Sequence, residues 1–148
     1  MEKSNYNEPA KGVRPMAKGP ITNPHFTDIQ NILDAIAAAD VSNPLPNAPH
    51  NTDAGAPFWR ETGNIDSDYT TFTTGTVPNF GSQIMDQNDP LNSLFLTMLL
   101  GTGGGPQMPL GGPFITDNGY SVIVNGAIMS GQDIQTTLET WLNNHFPK

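Results

Sequence analysis

The sequence predicts a small, mainly α-helical domain with long Gly- and Pro-rich loops and one β-hairpin inserted near residues 120–129. Three observations lead to this prediction. Apolar residues recur at spacings of three and four in several windows, as in amphipathic helices. Glycine and proline number 15 and 14 among 148 residues, which leaves room for long irregular stretches. Asn125-Gly126 separates two apolar runs and is a strong hairpin signal.

The first helix is expected from Thr27 to about Ala39. Thr27 is a favourable N-cap, and Gln30 three residues later would complete a capping box. Asp40 and then Pro44 should end the helix, because proline cannot continue it. The apolar stripe of this helix consists of Phe26, Ile29, Ile32, Leu33 and Ile36.

Two further helices are expected in the middle of the chain. The threonine-rich residues 66–75 fit a short helix that Asp66 or Ser67 would cap. The segment Asp89–Leu100 fits a stronger helix, with Pro90 at its first position. Its continuous apolar face predicts a core element.

A hairpin and a closing helix are expected near the C-terminus. The hairpin should span Tyr120 to Met129 around the Asn-Gly turn. Ser130 is the predicted N-cap of the last helix, and Asp133 stands at its capping-box position. This helix should run to about His145, before a proline.

Composition predicts an acidic protein with an N-terminal arm. Residues 1–24 are expected to form an extended polar arm, and residues 25–148 a single domain. The net charge of −8 argues against nucleic acid and anionic membranes, which need clustered basic residues. No stretch has the length of a membrane span, and no secretory signal is seen. A cytoplasmic location is favoured, although a mature exported protein would look the same.

The chain contains no cysteine, which excludes disulfides, thiolate metal sites and haem attached through CxxCH. Its histidines are His25, His50 and His145, and no two of them have helical spacing. They are most simply separate surface or loop residues. No GxSxG motif or EF-hand loop is found.

The order of the segments resembles the class I cytochrome c fold of bacterial c-type domains. The matching segments are NDPLNSLFLTMLLG at 88–101, MPLGGP at 108–113 and the closing helix with Trp141. The chain is also similar to small haem-less bacterial proteins, through FTDIQNILD at 26–34, His50 with FWR at 58–60, and the MPxGxP-type segment at 108–113. The resemblance covers roughly residues 25–113 and 130–146.

This resemblance implies a cytochrome-c-like helical scaffold without covalent haem. Met108 matches the loop methionine that is the distal haem ligand in that family, and His50 falls where the proximal histidine would be. Both cysteines of that motif are missing. His50 and Met108 together would suit copper or noncovalent haem. Otherwise aromatic side chains fill the haem volume, and no cofactor binds.

The sequence leaves three functions open. The first is a non-catalytic accessory or protein-binding module that docks on a protein partner, such as an oxidoreductase. The second is a copper or noncovalent-haem redox protein that uses His50 and Met108. The third is a small cofactor-free enzyme with a pocket near Phe58, Trp59 and Arg60.

Overall fold

The structure is a computed structural model that describes residues 16–40 and 56–148. Four α-helices lie in these ranges: α1 (Phe26–Ala39), α2 (Ile65–Thr74), α3 (Leu94–Leu100) and α4 (Gly131–Asn143). Strands β1 (Ser121–Val124) and β2 (Ala127–Ser130) form an antiparallel pair, and a 3-10 turn spans Pro90–Asn92.

Helix α1 confirms the predicted helix but not its cap. The helix already includes Phe26, so the N-cap is His25 and not Thr27. The backbone N–H of His25 donates to Asp28 Oδ2 at 2.9 Å. Gln30 cannot act at the helix start, because it is buried and its amide donates to Trp59 O at 2.6 Å. The predicted apolar stripe is buried throughout, which confirms the core-facing side of the helix.

Helix α2 lies one residue before its predicted position, and the predicted cap is wrong. Asn64 is the N-cap, and its side chain accepts from the N–H groups of Asp66 and Ser67 at 3.1 Å. An asparagine side chain satisfies the free N–H groups of a first turn as well as an aspartate does.

The single helix predicted over Asp89–Leu100 is interrupted. A 3-10 turn ends at Asn92, Ser93 has an extended ψ of 138°, and α3 begins at Leu94. Ser93 is fully buried, and its hydroxyl accepts from the N–H of Asp86 at 3.0 Å. This side-chain bond holds Ser93 outside the helical conformation, as serine does when it competes with the backbone.

Helix α4 starts as the sequence predicts. The Ser130 hydroxyl accepts from the N–H of Asp133 at 3.1 Å. The helix ends at Asn143, slightly earlier than expected, and His145 has a positive φ of 62°. The chain then turns back, and the N–H of Phe146 donates to Trp141 O at 2.8 Å.

The hairpin is confirmed, with Val124 opposite Ala127 across the Asn125-Gly126 turn. Met16 and Lys18 extend the sheet on the β2 side. The N–H of Ile128 donates to Met16 O at 3.1 Å, and the N–H of Lys18 donates to Ile128 O at 3.0 Å. Part of the predicted arm therefore pairs with the sheet, while residues 1–15 lie outside the described residues.

The prediction of a mainly α, cytochrome-c-like helical fold is wrong. The described chain is about 40% helical and 10% strand, which makes it a small mixed α/β fold. The hairpin is part of the core rather than an insertion, because Tyr120, Val124 and Met129 are buried in the same cluster as α1 and α4. Helix α1 also packs against β1. Sequence periodicity found these elements but not how they share one core.

None of the described helices is both long enough and apolar enough to cross a membrane.

Candidate functional site

The predicted pocket segment, residues 58–60, is held against α1 by hydrogen bonds to Asp34, Gln30 and Asn31. Asp34 Oδ1 accepts from Trp59 Nε1 at 2.7 Å, and Asp34 Oδ2 accepts from Arg60 Nε at 2.7 Å. Gln30 donates to the carbonyl oxygen of Trp59 at 2.6 Å. The polar atoms of these side chains are thus engaged in fixing the loop to α1.

The remaining member of the segment, Phe58, packs against other aromatic rings. The Phe58 ring lies 6.1 Å from that of Phe72 in a stacked arrangement, and 4.9 Å from that of Trp59 edge-on. Such pairs add to the stability gained by burial. Phe58, Trp59 and Arg60 therefore have a structural role in the described residues, and the enzyme pocket predicted there stays a prediction.

The predicted metal ligands are not brought together by the described residues. Met108 is half-buried in the Gly- and Pro-rich loop, and its N–H donates to Met98 O at 2.9 Å. His50 lies outside the described residues, so the copper or haem site stays a prediction. Across 16–40 and 56–148, no group of three His, Cys, Asp or Glu side chains is arranged to hold a metal ion.

The hairpin presents a different kind of site, on the outer edge of β1. Directly opposite residues of an antiparallel pair alternate between pairs that exchange hydrogen bonds and pairs that do not. The N–H and C=O groups of Ile128 bond to Met16 and Lys18 and so point away from β1. Ile123 lies directly opposite Ile128, so its own N–H and C=O groups point away from β2. By the same alternation, the backbone groups of Val122 and Val124 bond to β2. Those of Ser121 point outward, like those of Ile123.

The outward N–H and C=O groups of Ser121 and Ile123 meet no hydrogen-bond partner in the described part of the chain. The Ile123 side chain is 58% exposed, and Ser121 is also exposed. Unpaired groups on an exposed edge strand are a template for another strand. Most proteins block such an edge with a charge, a proline or a bulge, and β1 contains neither a charged residue nor a proline.

Tight packing behind the hairpin fixes where β1 begins. The N–H of Gly131 donates to Tyr120 O at 3.0 Å. A Cβ on Gly131 would lie 1.8 Å from the carbonyl oxygen of Ile115, so only glycine fits. A cleft of about 390 Å³ lies between residues 115–120 and 130–135. The bond between Gly131 and Tyr120 thus ties the start of β1 to the first residue of α4.

Tyr120 is the unusual side chain of this region. Its ring is buried, yet its hydroxyl has no hydrogen-bond partner among the described residues. Burial raises the pKa of the Tyr120 phenol to about 12, and the negative charge of Asp117 adds to the rise. Tyr120 is therefore neutral at physiological pH and is not a candidate base.

Comparisons with protein-family models, with curated proteins and with solved structures gave no match for this chain. The geometry of the described residues is therefore the basis for a function.

The sequence predicts the hairpin but not the open edge of β1. The available signal was an uncharged β1 sequence, Ser-Val-Ile-Val, in an otherwise acidic chain. Which edge stays open could not be read from the pattern, because it depends on Met16 and Lys18, more than 100 residues away from β2 in sequence, pairing with Ile128.

Proposed function

We propose that this chain is a non-catalytic protein-binding module that receives an extended segment of a partner on the outer edge of β1. The observation that carries the proposal is that the outward backbone groups of Ser121 and Ile123 have no partner within 16–40 and 56–148, and that the Ile123 side chain is exposed. Main-chain hydrogen bonds to such an edge supply affinity, and alternate side chains supply specificity.

The rest of the described molecule supports the edge as a scaffold. Val124 and Met129 anchor the two strands in the core, and Met16 and Lys18 pair with the outer edge of β2. In the described part of the chain, the edge of β1 is then the one sheet edge left open to a partner. Because β1 is already paired with β2, the ordering cost of binding falls mainly on the partner.

The proposal can be tested by titrating the ¹⁵N-labelled protein with a short capped peptide of alternating threonine and valine. We expect shifts and slower hydrogen exchange at the amides of Ser121 and Ile123, because these N–H groups would donate to the peptide. The matched control is the same peptide with every amide N-methylated, which has no N–H group to donate on either edge. Changes confined to other regions, or equal effects of both peptides, would contradict the proposal.

A further inference from the structure

We infer that the partner strand is β1 of a second copy of this chain, which would make a two-fold dimer with a continuous sheet. This inference rests on the proposed function of the β1 edge. Its basis is that the outward groups of β1 are complementary to themselves in an antiparallel arrangement.

The register follows from the positions of the outward groups. When a two-fold axis passes beside Val122, Ser121 of one copy lies opposite Ile123 of the other. Each of these two pairs exchanges both of its N–H···O=C bonds, as antiparallel hydrogen-bonded pairs do. All four outward-facing groups of each β1 would then be paired, and none would be left over.

The local charge favours a second copy over a charged partner. Residues 118–132 contain no Asp, Glu, Lys, Arg or His, although the chain has a net charge of −8. A site for a basic peptide would need acidic residues beside the strand. The hairpin itself adds no charge to such a contact, and only Asp117 and Asp133 flank it in sequence, so two acidic molecules would meet there with less repulsion than on a charged surface.

The exposed face of the sheet adds an apolar contribution. Ile123 is 58% exposed and Ile128, directly opposite, is partly exposed on the same face. In the dimer, Ile123 of each copy lies against Ser121 of the other and loses part of its contact with water. Because a four-residue strand offers a small contact area, the dimer should be weak and concentration-dependent.

Proline at position 123 is the sharpest test of this pairing. The N–H of Ile123 faces outward, so Ile123→Pro removes no bond to β2, and proline is tolerated on edge strands. The substitution deletes two of the four intermolecular hydrogen bonds and places the ring where the second strand would lie. Ile123→Thr is the matched control, because it keeps the N–H group and the β-branched shape.

The experiment combines sedimentation velocity with amide exchange over a series of protein concentrations. We expect a wild-type dimer whose formation slows exchange at Ser121 and Ile123 while leaving Val122 and Val124 unchanged. Ile123→Pro should weaken dimerisation on the order of tenfold or more, and Ile123→Thr much less. Ile123→Lys, which places a charge on the edge, is the second variant if the proline variant is unfolded by circular dichroism.

The outcomes separate this inference from the proposed function. A chain that stays monomeric at millimolar concentration, yet binds the threonine–valine peptide at Ser121 and Ile123, overturns the second copy alone. A dimer unaffected by Ile123→Pro and Ile123→Lys, or formed without slower exchange at Ser121 and Ile123, overturns it as well. Failure to dimerise together with failure to bind the peptide overturns both proposals.

Discussion

The aromatic core and the hairpin differ in whether their polar groups have hydrogen-bond partners within the described chain. We define the aromatic core as the set of rings in mutual contact: Phe26, Phe58, Trp59, Tyr69, Phe72, Phe95, Trp141 and Phe146. Each polar ring atom in this set has a partner. Trp59 Nε1 donates to Asp34, the Tyr69 hydroxyl to Phe146 O at 2.7 Å, and Trp141 Nε1 to Pro147 O at 2.8 Å.

The hairpin has the opposite character. Among the described residues, neither the buried Tyr120 hydroxyl nor the outward backbone groups of β1 have a hydrogen-bond partner. Buried polar groups normally find a hydrogen bond, so the Tyr120 hydroxyl is an exception, whereas the exposed outward groups of β1 are open to water or to another strand. The polar ring atoms of the aromatic core are thus satisfied within one chain, whereas the proposed function has the outward groups of β1 paired by another polypeptide.

Phe72→Ala should have the largest effect, because it removes a fully buried ring that contacts several others. We expect a loss of about 3–5 kcal/mol in the free energy of unfolding, measured by urea denaturation. Phe80→Ala is the matched control, since the Phe80 ring is 61% exposed. Similar losses in both variants would show that the aromatic core does not dominate stability.

Gly131→Ala should destabilise the joint between the hairpin and α4. The added Cβ would lie 1.8 Å from Ile115 O, a backbone atom that can move only with its loop. The expected loss is about 1–3 kcal/mol, as for other overpacked sites. Gln132→Ala, at the neighbouring exposed position, should change stability by less than about 0.5 kcal/mol. A glycine variant as stable as wild type would mean that this joint is loose.

Alkaline pH should weaken the fold through Tyr120. Its folded pKa is raised from 10.0 to about 12, so the native state holds this proton more tightly than the unfolded state. The stabilising contribution is therefore complete below pH 10 and declines as the pH rises from 10 to 12. Thermal melts across this range should show the decline in wild type and a smaller one in Tyr120→Phe. The same slope in both proteins would contradict the burial of this phenol.

The smallest expected effect comes from removing a tyrosine hydroxyl, and its effect on the free energy of unfolding should have opposite signs in the aromatic core and beside the hairpin. Tyr69→Phe loses the hydrogen bond to Phe146 O, at a cost of about 1 kcal/mol. Tyr120→Phe removes a hydroxyl without a partner in the described chain, so it should be neutral or should stabilise by up to about 1 kcal/mol. Chemical denaturation of the two variants in parallel provides the comparison. A destabilised Tyr120→Phe would mean that its hydroxyl has a partner.

Local features could be predicted from the sequence, and long-range ones could not. The stripe of α1, the Ser130 cap of α4 and the Asn125-Gly126 turn depend on neighbouring residues, and the structure confirms them. The interruption at Ser93 depends on a bond to Asp86, which periodicity does not report. The role of Arg60 depends in the same way on Asp34, which lies on another element.

The candidate site was the hardest part to predict. The Asn125-Gly126 turn is enough to predict a hairpin. Whether one of its edges stays open depends on which distant segments pair with the strands. Ile123 and Ile128 look alike in the sequence, both apolar and both in strands. They differ because Met16 and Lys18 cover only Ile128, a contact that no local pattern encodes.

The most direct measurement is native-state hydrogen exchange of the four β1 amides in protein dilute enough that sedimentation shows a monomer. An open edge predicts fast exchange at Ser121 and Ile123 and slow exchange at Val122 and Val124, which bond to β2. Equal protection at all four amides in the dilute monomer would show that another part of the chain already covers the edge. That result would contradict a binding role for β1.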